Sequence, residues 1–381
     1  MINGGRAPRW PLVLGLACAL TAVLAGPWRS GELPVASAQT DWRAEWNRVL
    51  EAAKREGRVA VAGPPSPDFR AALSTAFQKA HPDIKLEYTG LGGRDVVPRI
   101  SQEHKAGVYQ WDVYVAGATS VMAALKPLDT YFGPLRPALI LPEAVEDAKW
   151  RDGFEGGFLD NGKKLLYAFD GTVTKPIWIN WDKVARAEFT SPKDLLSPKF
   201  GGKIVWDDPR THGPGVAASD VFLLGYGDEF LKKAFGQQIV YTRDGRQLVE
   251  WVIQGRHPIG VGLQKEILDD FQKLGLGKNV SPLPDREYPL SSLIPGFGAV
   301  AVMARAPHPN AARVYVNWLL SAEGQRNWVS ATTRNSRRLD VPPGDAERAP
   351  QAGHKYVNTM TEEMLTTRQR SIDIARALIP G

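Results

Sequence analysis

The chain has 381 residues, of which 43% are hydrophobic, and a formal net charge of +6. This positive charge is small and scattered, which excludes a typical nucleic-acid-binding protein, because such proteins cluster their basic residues on one face. The length is sufficient for two medium-sized hydrophobic cores, and we therefore expect two domains. The chain contains a single cysteine, Cys18, so it forms no internal disulfide bond.

The N-terminal segment has the pattern of an export signal. Arg6 and Arg9 precede a nearly unbroken apolar run at residues 11–26, which is shorter than the ~20 apolar residues that a membrane-spanning helix needs. Ala36-Ser37-Ala38 has the small-x-small pattern that signal peptidase accepts. We therefore predict that residues 1–38 are a signal peptide, cleaved after Ala38. The mature chain would keep a charge of about +4 and would lie in the periplasm or outside the cell.

Two other fates of the N-terminus are open. The stretch between the apolar run and Ala38 is longer than usual, which leaves an uncleaved N-terminal anchor as an alternative. Lipid attachment at Cys18 is a second alternative, although the preceding Gly15-Leu16-Ala17 is a poor lipobox.

Strand and helix patterns alternate from residue 42 to residue 125. Apolar residues at helical spacing, ended by Gly57, predict a first helix. Ser66-Pro67 has the pattern of a capping residue followed by a first-turn proline and predicts the start of another. The predicted strands are residues 58–62, 84–88 and 112–115. Because strands recur roughly every 26 residues with helices between them, we expect βαβ units and a parallel sheet.

The alternation stops at residues 127–164, which are rich in proline, glycine and loop residues, and then resumes. The elements predicted after this stretch are a strand at 203–207, a helix that ends near 225, a helix at 246–254, a strand at 258–261, a helix at 264–273, a strand at 298–304, and helices at 310–320, 322–330 and 354–378.

Two segments, residues 166–180 and the region around 295–304, are predicted to cross between the two α/β sections. Since no flexible linker separates these sections, they indicate two lobes joined by a hinge. The predicted fold is an α/β two-lobed clamshell, in which each lobe has a mixed, mostly parallel sheet flanked by helices. Lobe 1 would comprise residues 39–170 and 298–381, and lobe 2 residues 171–297.

Four turns are candidates for ligand binding: residues 63–66, 90–94, 117–120 and 210–215. In open α/β sheets, ligands bind at the carboxyl ends of strands, where helix N-termini present free N–H groups. Each turn contains Gly, Ser or Thr, and two also contain an arginine. This combination favours an anionic or strongly polar ligand. The alternative for each turn taken singly is an ordinary βα connection with a helix cap.

We find no catalytic or metal-binding pattern. Asp207-Asp208 is a better candidate for capping than for catalysis, because adjacent strand residues point to opposite faces. The histidines have no paired metal-ligand spacing, and Ser219 lies in no G-x-S-x-G elbow. The sequence therefore predicts no enzyme, no metal and no cofactor.

Five segments resemble the type 2 periplasmic binding proteins, in particular the branch that binds ferric ion, polyamines, thiamine and phosphonates. These segments are residues 56–88, 111–122, 195–209, 308–330 and 335–342. The most specific is 308–330, which begins HPNAARVYVNWLL and is followed by the Arg-rich, Pro-ended turn NSRRLDVP. The resemblance covers nearly the whole mature chain.

The resemblance implies an extracytoplasmic solute-binding protein of an ABC importer. Such a protein captures its ligand between two lobes, closes, and delivers the ligand to the membrane subunits of the permease. We expect a monomer that binds a small molecule and no nucleic acid. The predicted ligand-binding residues are Pro65, Ser66, Gly92, Gly93, Arg94, Thr119, Ser120, Asp207, Arg210, Thr211, Gly213, Gln264 and Arg337.

Two alternatives to an anion-binding protein are open. Ferric-ion binders of this branch commonly use a neighbouring pair of tyrosines, but residues 260–265, which look equivalent, contain none. Phenolates are the usual anionic oxygen donors for ferric ion, and this segment offers none. The arginines instead favour a carboxylate, a phosphonate or a phosphate ester as the ligand, rather than ferric ion. A periplasmic enzyme on this scaffold is the other alternative, but the known enzyme relatives depend on a cysteine, which the mature chain lacks.

Overall fold

Two mixed β-sheets flanked by helices, and a third, smaller sheet, form the framework of the protein. The computed structural model describes residues 42–380, with the backbone alone for Gly93 and Arg94. The predicted signal peptide, including Cys18, lies outside the described residues. Within the described part of the chain, no helix has the length and apolar character needed to cross a membrane.

The helices and strands alternate through most of the chain. The helices are α1 (Trp42–Glu56), α2 (Pro67–Ala80), α3 (Gly93–Lys105), α4 (Ala118–Ala124), α5 (Pro142–Val145), α6 (Pro214–Tyr226), α7 (Asp228–Phe235), α8 (Gly245–Gln254), α9 (Lys265–Lys273), α10 (Pro309–Leu320), α11 (Ala322–Thr332) and α12 (Leu365–Leu378). The strands are β1 (Arg58–Gly63), β2 (Lys85–Gly90), β3 (Val113–Ala116), β4 (Phe132–Gly133), β5 (Tyr167–Ala168), β6 (Val173–Thr174), β7 (Ile177–Asn180), β8 (Ile204–Asp207), β9 (Ile239–Thr242), β10 (Ile259–Val261), β11 (Val280–Pro282), β12 (Ser291–Leu293), β13 (Ala299–Met303) and β14 (Tyr356–Val357).

The first βα unit shows how local sequence sets these boundaries. Gly57 ends α1 at φ +72°, a left-handed conformation that favours glycine. Strand β1 is buried from its second residue onward, as expected for a central strand covered on both faces. Ser66 precedes α2 in an extended conformation, and Pro67 occupies the first helical position. The Ser66 side chain makes no capping hydrogen bond, so the proline carries more of the start signal than the serine.

The first sheet has the order β2-β1-β3-β13-β4, with β5 also paired to β13. Strand β1 runs parallel to β2 and β3, whereas β13 is antiparallel to β3, with Val300 opposite Val115. Residues of α1, α2, α10 and α11 share one hydrophobic core with this sheet, and residues of α3 and α4 share another with it. The returning strand β13 therefore joins the C-terminal part of the chain to the N-terminal part.

The second sheet has the order β11-β7-β10-β8-β9. Strand β8 is parallel to β9 and β10, and β7 is antiparallel to β10 and β11. One core of this sheet contains residues of α6, α7 and α12, and the other contains residues of α8 and α9. Helix α12 contacts α6 and α7, although the predicted lobe 1 includes its residues. The exact lobe boundaries stay a prediction.

The third sheet, β14-β12-β6, is called the hinge sheet below. The chain passes from the first sheet through β6 to the second, and returns from the second through β12 to the first. These are the two predicted crossings, and the two-lobed α/β architecture is confirmed. Strand β14 adds a third strand by pairing in parallel with β12.

The C-terminal helix is shorter than predicted. Residues 354–364 were expected to be helical, but they contain β14 and a short 3-10 helix, Glu362–Met364, and α12 begins only at Leu365. Pairing of Tyr356 with Ser291 in the hinge sheet overrides the local helical preference. The sequence patterns also did not predict the helices α5 and α7 or the six short strands β4, β6, β9, β11, β12 and β14, whose few residues give little periodicity.

Candidate ligand-binding cleft

A cavity of about 560 Å³ is lined by residues from both sheets' turns, from the hinge sheet and from the C-terminal segment. It lies where β1, β3, β8 and β10 end, which is the expected position for a ligand in an α/β fold. The lining residues are Ser66, Asp68, Phe69, Gly117, Thr119, Ser120, Thr172, Val173, Thr174, Lys175, Trp178, His212, Gly213, Pro214, Ala217, Leu263, Gln264, Lys265, Glu266, Ile294, Gly296, Phe297, Thr332, Arg334, Arg348, Met360 and Arg368. We call this cavity the cleft.

The structure brings five of the predicted binding residues to the cleft. These residues are Ser66, Thr119, Ser120, Gly213 and Gln264. Six other predicted residues lie outside its lining, namely Pro65, Gly92, Asp207, Arg210, Thr211 and Arg337. The side chains of Gly93 and Arg94 fall outside the described part of the structure. The ligand-binding role of all these residues stays a prediction.

Asp207 fixes the turn between β8 and α6. Its Oδ1 accepts a hydrogen bond from the backbone N–H of Gly215 at 2.7 Å. A side chain at Gly215 would overlap the Asp207 carbonyl group, so only glycine fits there. Burial raises the pKa of Asp207 to about 6. Asp207 therefore positions the turn that carries His212 and Gly213 to the cleft, without lining the cleft itself.

Arg210 is neutralised by a neighbour. Its Nε and Nη2 donate to the two carboxylate oxygens of Asp208, each at 2.9 Å, and its Nη1 donates to the carbonyl of Pro380. Arg243 Nε donates to the same Asp208 at 2.8 Å. Burial opposes ionisation of Asp208, but the hydrogen bonds from the two arginines outweigh it and lower its pKa to about 2.

Arg368 enters the cleft from α12. Its Nε donates to Asp220 Oδ2 at 2.9 Å, and its Nη1 donates to Thr119 Oγ1 at 3.2 Å. Arg368 is 5% exposed and Asp220 is 1% exposed, so this ion pair is buried. The Nη2 atom lies 2.9 Å from Asp220 Oδ2 but makes no hydrogen bond with any described residue.

A second arginine of the cleft, Arg348, also has an Nη2 atom without a hydrogen-bond partner among the described residues. Its Nε donates to Asp345 Oδ2 at 2.8 Å and its Nη1 to Glu266 Oε1 at 3.3 Å. Its Nη2 is buried and, among the described residues, has no hydrogen-bond partner. Arg348 and Arg368 therefore both line the cleft, and each carries a buried Nη2 atom that makes no hydrogen bond with the described residues.

Glu266 joins the second sheet's helix α9 to the C-terminal segment. Its Oε1 accepts from Arg334 Nη1 at 2.9 Å as well as from Arg348. Arg334 is also bound to Asp170, with Nε 2.5 Å from Oδ2. Burial opposes ionisation of Glu266, but the charges of Arg334 and Arg348 lower its pKa to about 2. The side chain is 42% exposed, and its open side lines the cleft.

The remaining lining has a polar and an apolar part. Lys175, on the first hinge crossing, forms a buried ion pair with Asp285 at 2.7 Å. The pKa of His212 is lowered by burial and then by the positive charges of Arg368 and Arg376. Phe297 is 41% exposed, and its ring lies 5.1 Å from that of Phe69 in an edge-on arrangement. The cleft thus has positive polar groups beside an apolar wall.

The lining contains no tyrosine. Within residues 42–380, no three side chains of histidine, cysteine, aspartate or glutamate are grouped so that they could hold a metal ion. Asp68 and Glu266 are the carboxylates of the lining, and Glu266 is already bound by two arginines.

Several residues of the cleft were missed by the sequence analysis, among them Lys175, His212, Glu266, Arg348 and Arg368. His212 lies inside the predicted 210–215 turn, and Glu266 lies two residues after the predicted Gln264, so proximity to a βα turn could have found both. No local pattern singles out Arg368, because its partners are distant in sequence, and Arg348 has one local partner, Asp345, and one distant partner, Glu266.

Solved structures share this fold at low identity. The iron-bound HitA of Pseudomonas aeruginosa matches with a TM-score of 0.65 and 16% identity over 84% of this chain and 99% of that chain. A Trichodesmium protein in complex with iron and citrate matches with a TM-score of 0.64 and 17% identity over 84% and 99%. AfuA of Actinobacillus pleuropneumoniae, with fructose-6-phosphate bound, matches with a TM-score of 0.61 and 18% identity over 85% and 99%.

Sequence comparison gives one partial relative and one family. An uncharacterized protein of Haemophilus influenzae is 27% identical over 137 residues, which are 35% of this chain and 38% of that protein. The match therefore spans well under half of the curated relative's length. The family model of the bacterial extracellular solute-binding proteins matches residues 63–326. Most of the chain is covered by this match, and the protein belongs to the bacterial extracellular solute-binding protein family.

Proposed function

We propose that this protein captures a small organic anion, a carboxylate, a phosphonate or a phosphate ester, in the cleft and delivers it to an ABC permease. The observation that carries this proposal is the pair of buried Nη2 atoms on Arg348 and Arg368. Buried polar groups in native proteins are nearly always hydrogen-bonded. Oxygens of a carboxylate or phosphate are the acceptors that a guanidinium binds best.

The rest of the cleft fits a ligand with a carbon skeleton as well as an anionic group. Phe297 and Trp178 offer apolar surface that a sugar or aliphatic chain can cover. Thr119 and Ser120 add hydroxyl groups next to Arg368. The fructose-6-phosphate bound to the Actinobacillus protein is a phosphate ester, and the citrate found with iron in the Trichodesmium protein is a carboxylate, so both belong to the favoured chemical classes.

Ferric ion is the competing cargo, because several structural neighbours are named as iron-binding proteins. Ferric ion prefers hard anionic oxygen donors. The carboxylates of the cleft are Asp68 and Glu266, and the ion pairs of Glu266 with Arg334 and Arg348 compete with metal binding. We therefore favour the anion, and we propose binding and transport rather than catalysis.

Ligand capture in this proposal uses the hinge sheet. The lobes are residues 39–170 with 298–381, and residues 171–297, except that α12 moves with the second lobe because it packs on α6 and α7. Glu266 of α9 reaches Arg334 and Arg348, and these contacts stabilise the lobes against each other. We propose that the chain works as a monomer on the outer side of the cytoplasmic membrane, after cleavage near Ala38.

The test replaces the arginines by lysine, which keeps the positive charge but removes Nη2. Arg348→Lys and Arg368→Lys should each weaken binding of the cleft ligand about ten- to a hundredfold, since a hydrogen bond to a charged group contributes roughly 1.5–3 kcal/mol. Titration calorimetry would use fructose-6-phosphate, citrate and any anion that mass spectrometry finds in the purified protein.

Arg326→Lys is the matched control, because Arg326 is exposed on α11 and lies outside the cleft lining. Unchanged affinity in both cleft variants would refute the anion site. A ferric-dependent optical absorption band in the wild-type protein would support the iron carrier instead.

A further inference from the structure

A second polar cavity, of about 390 Å³, lies beside the hinge sheet and is called the hinge cavity here. Its lining includes Leu293 of β12 and Tyr356 of β14, together with Asp170 at the first crossing. Two arginines, Arg151 and Arg337, also line it. None of these residues lines the cleft.

Arg337 is a buried cation with neutral partners. It is 7% exposed, and its guanidinium donates to the carbonyls of Ala168 at 3.1 Å, Gly153 at 3.4 Å and Arg151, and to the hydroxyl of Tyr167 at 3.4 Å. No carboxylate of the described residues forms an ion pair with it. Arginine is almost never this buried unless it is paired, because an uncompensated charge is costly to remove from water.

The neighbouring arginines show how unusual this is. Arg334 is paired with Asp170, Arg338 with Asp340, and Arg348 with Asp345, each through a charged hydrogen bond. Each of these three arginines has a carboxylate partner. Arg337 has none among the described residues and lines the hinge cavity instead.

Arg151 brings a second positive charge to the same cavity. Its side chain makes no ion pair within residues 42–380 and is only partly exposed. Burial lowers the pKa of Arg337, and the charge of Arg151 acts in the same direction, whereas Tyr167 and the charge of Asp152 act in the opposite one. Two guanidinium groups that repel each other across a polar cavity are stabilised by an anion that binds both.

We propose that the hinge cavity binds a small oxyanion, with carboxylate or phosphate oxygens, between Arg151 and Arg337. His354 lies at the same cavity and can contribute a further donor, whereas the hydroxyl of Tyr356 already donates to Asp285. Asp152 is exposed and Asp170 is bound to Arg334, so the lining carboxylates leave the charge of Arg337 unpaired.

Two buried contacts connect this site with the cleft. Asp170 lines the hinge cavity and binds Arg334, which lines the cleft. Tyr356 donates to Asp285 at 3.3 Å, and Asp285 is the partner of Lys175, which also lines the cleft. An oxyanion bound in the hinge cavity thus acts on groups that hold the hinge. Ligand binding at either site then changes the ligand affinity of the other site by the same factor.

The experiment measures binding of inorganic phosphate, and separately of malonate, to the purified protein by titration calorimetry. At least one of the two anions should bind at a site that Arg151→Ala weakens tenfold or more and that Arg368→Lys leaves in place. Arg326→Ala, a substitution of an exposed arginine that lines neither cavity, should leave this binding unchanged.

The outcomes separate the two sites. If Arg151→Ala binds both anions as the wild-type protein does, or if neither anion binds anywhere except at a site sensitive to Arg368→Lys, the hinge-cavity proposal is wrong. Failure of the cleft proposal would give a different result. Arg368→Lys would then leave anion binding unchanged, while Arg151→Ala would still abolish binding at one site.

Discussion

Two regions near the cleft carry arginines, and they use them differently. In the turn after β8, Arg210 and Arg243 both bind Asp208, and the turn is closed by Asp207 and the backbone of Gly215. In the C-terminal segment from residue 332 to 368, Arg348 and Arg368 bind carboxylates with part of the guanidinium, and the Nη2 atom of each makes no hydrogen bond with the described residues.

The difference lies in how many guanidinium nitrogens are occupied. All three nitrogens of the Arg210 guanidinium donate to Asp208 or to the carbonyl of Pro380. Arg368 shares Asp220 with no second cation and reaches it from α12, far along the chain. An arginine near a ligand site can therefore bind a ligand only when at least one of its guanidinium nitrogens has no other hydrogen-bond acceptor.

The largest effect should follow from removing the C-terminal partner of a buried pair. Arg368→Leu leaves Asp220 as a buried, uncompensated carboxylate, and we expect the free energy of unfolding to fall by about 3–5 kcal/mol. Urea denaturation of the wild-type protein and the variant measures this difference in the free energy of unfolding. Adding Asp220→Leu should restore most of the loss, because two apolar residues replace both charges. If the double variant is as unstable as the single one, the pair is not the source of the effect.

A medium effect should come from the pH dependence of Asp207. Its pKa is raised to about 6 in the folded protein, above the ~3.9 of an unfolded chain, so its stabilising contribution is full below pH ~4 and is lost as the pH rises through about 6. Asp207→Asn stays neutral and keeps an acceptor for Gly215. Its stability relative to wild type should therefore rise by roughly 2–3 kcal/mol between pH 4 and pH 7.

Parallel urea titrations of wild type and Asp207→Asn at both pH values cancel the contributions of other carboxyl groups, including Asp208, whose lowered pKa acts in the opposite direction. An equal stability difference at both pH values would show that Asp207 ionises normally in the folded protein.

The smallest effect should come from Arg210. Arg210→Leu leaves Arg243 on the buried Asp208, so the free energy of unfolding should fall by only about 1.5–2 kcal/mol. Because its guanidinium is occupied, the affinity for the cleft ligand should change less than threefold. A tenfold loss of affinity on calorimetric titration would place Arg210 with the C-terminal arginines and break the contrast between the two regions.

The sequence was sufficient for the fold and for part of the cleft, because both follow from local rules. Alternating strands and helices predicted the two-lobed architecture, and the position of βα turns led to Ser66, Thr119 and Gly213. Arg368 could not be found in this way, since it lies 148 residues from Asp220 and 249 residues from Thr119. The same limit explains β14, a short strand that exists only because β12 is there to pair with it.

The third strand of the hinge sheet also makes the cleft depend on an unbroken chain. Without β14, β12 and β6 would form a two-stranded ribbon, which is marginally stable in water. Residues 351–353, just before β14, are exposed, and exposed loop tips are preferred sites of proteolytic nicking. One cut there would leave every residue of the cleft present but would free β14 and the arginine of α12 from covalent attachment to the rest of the site.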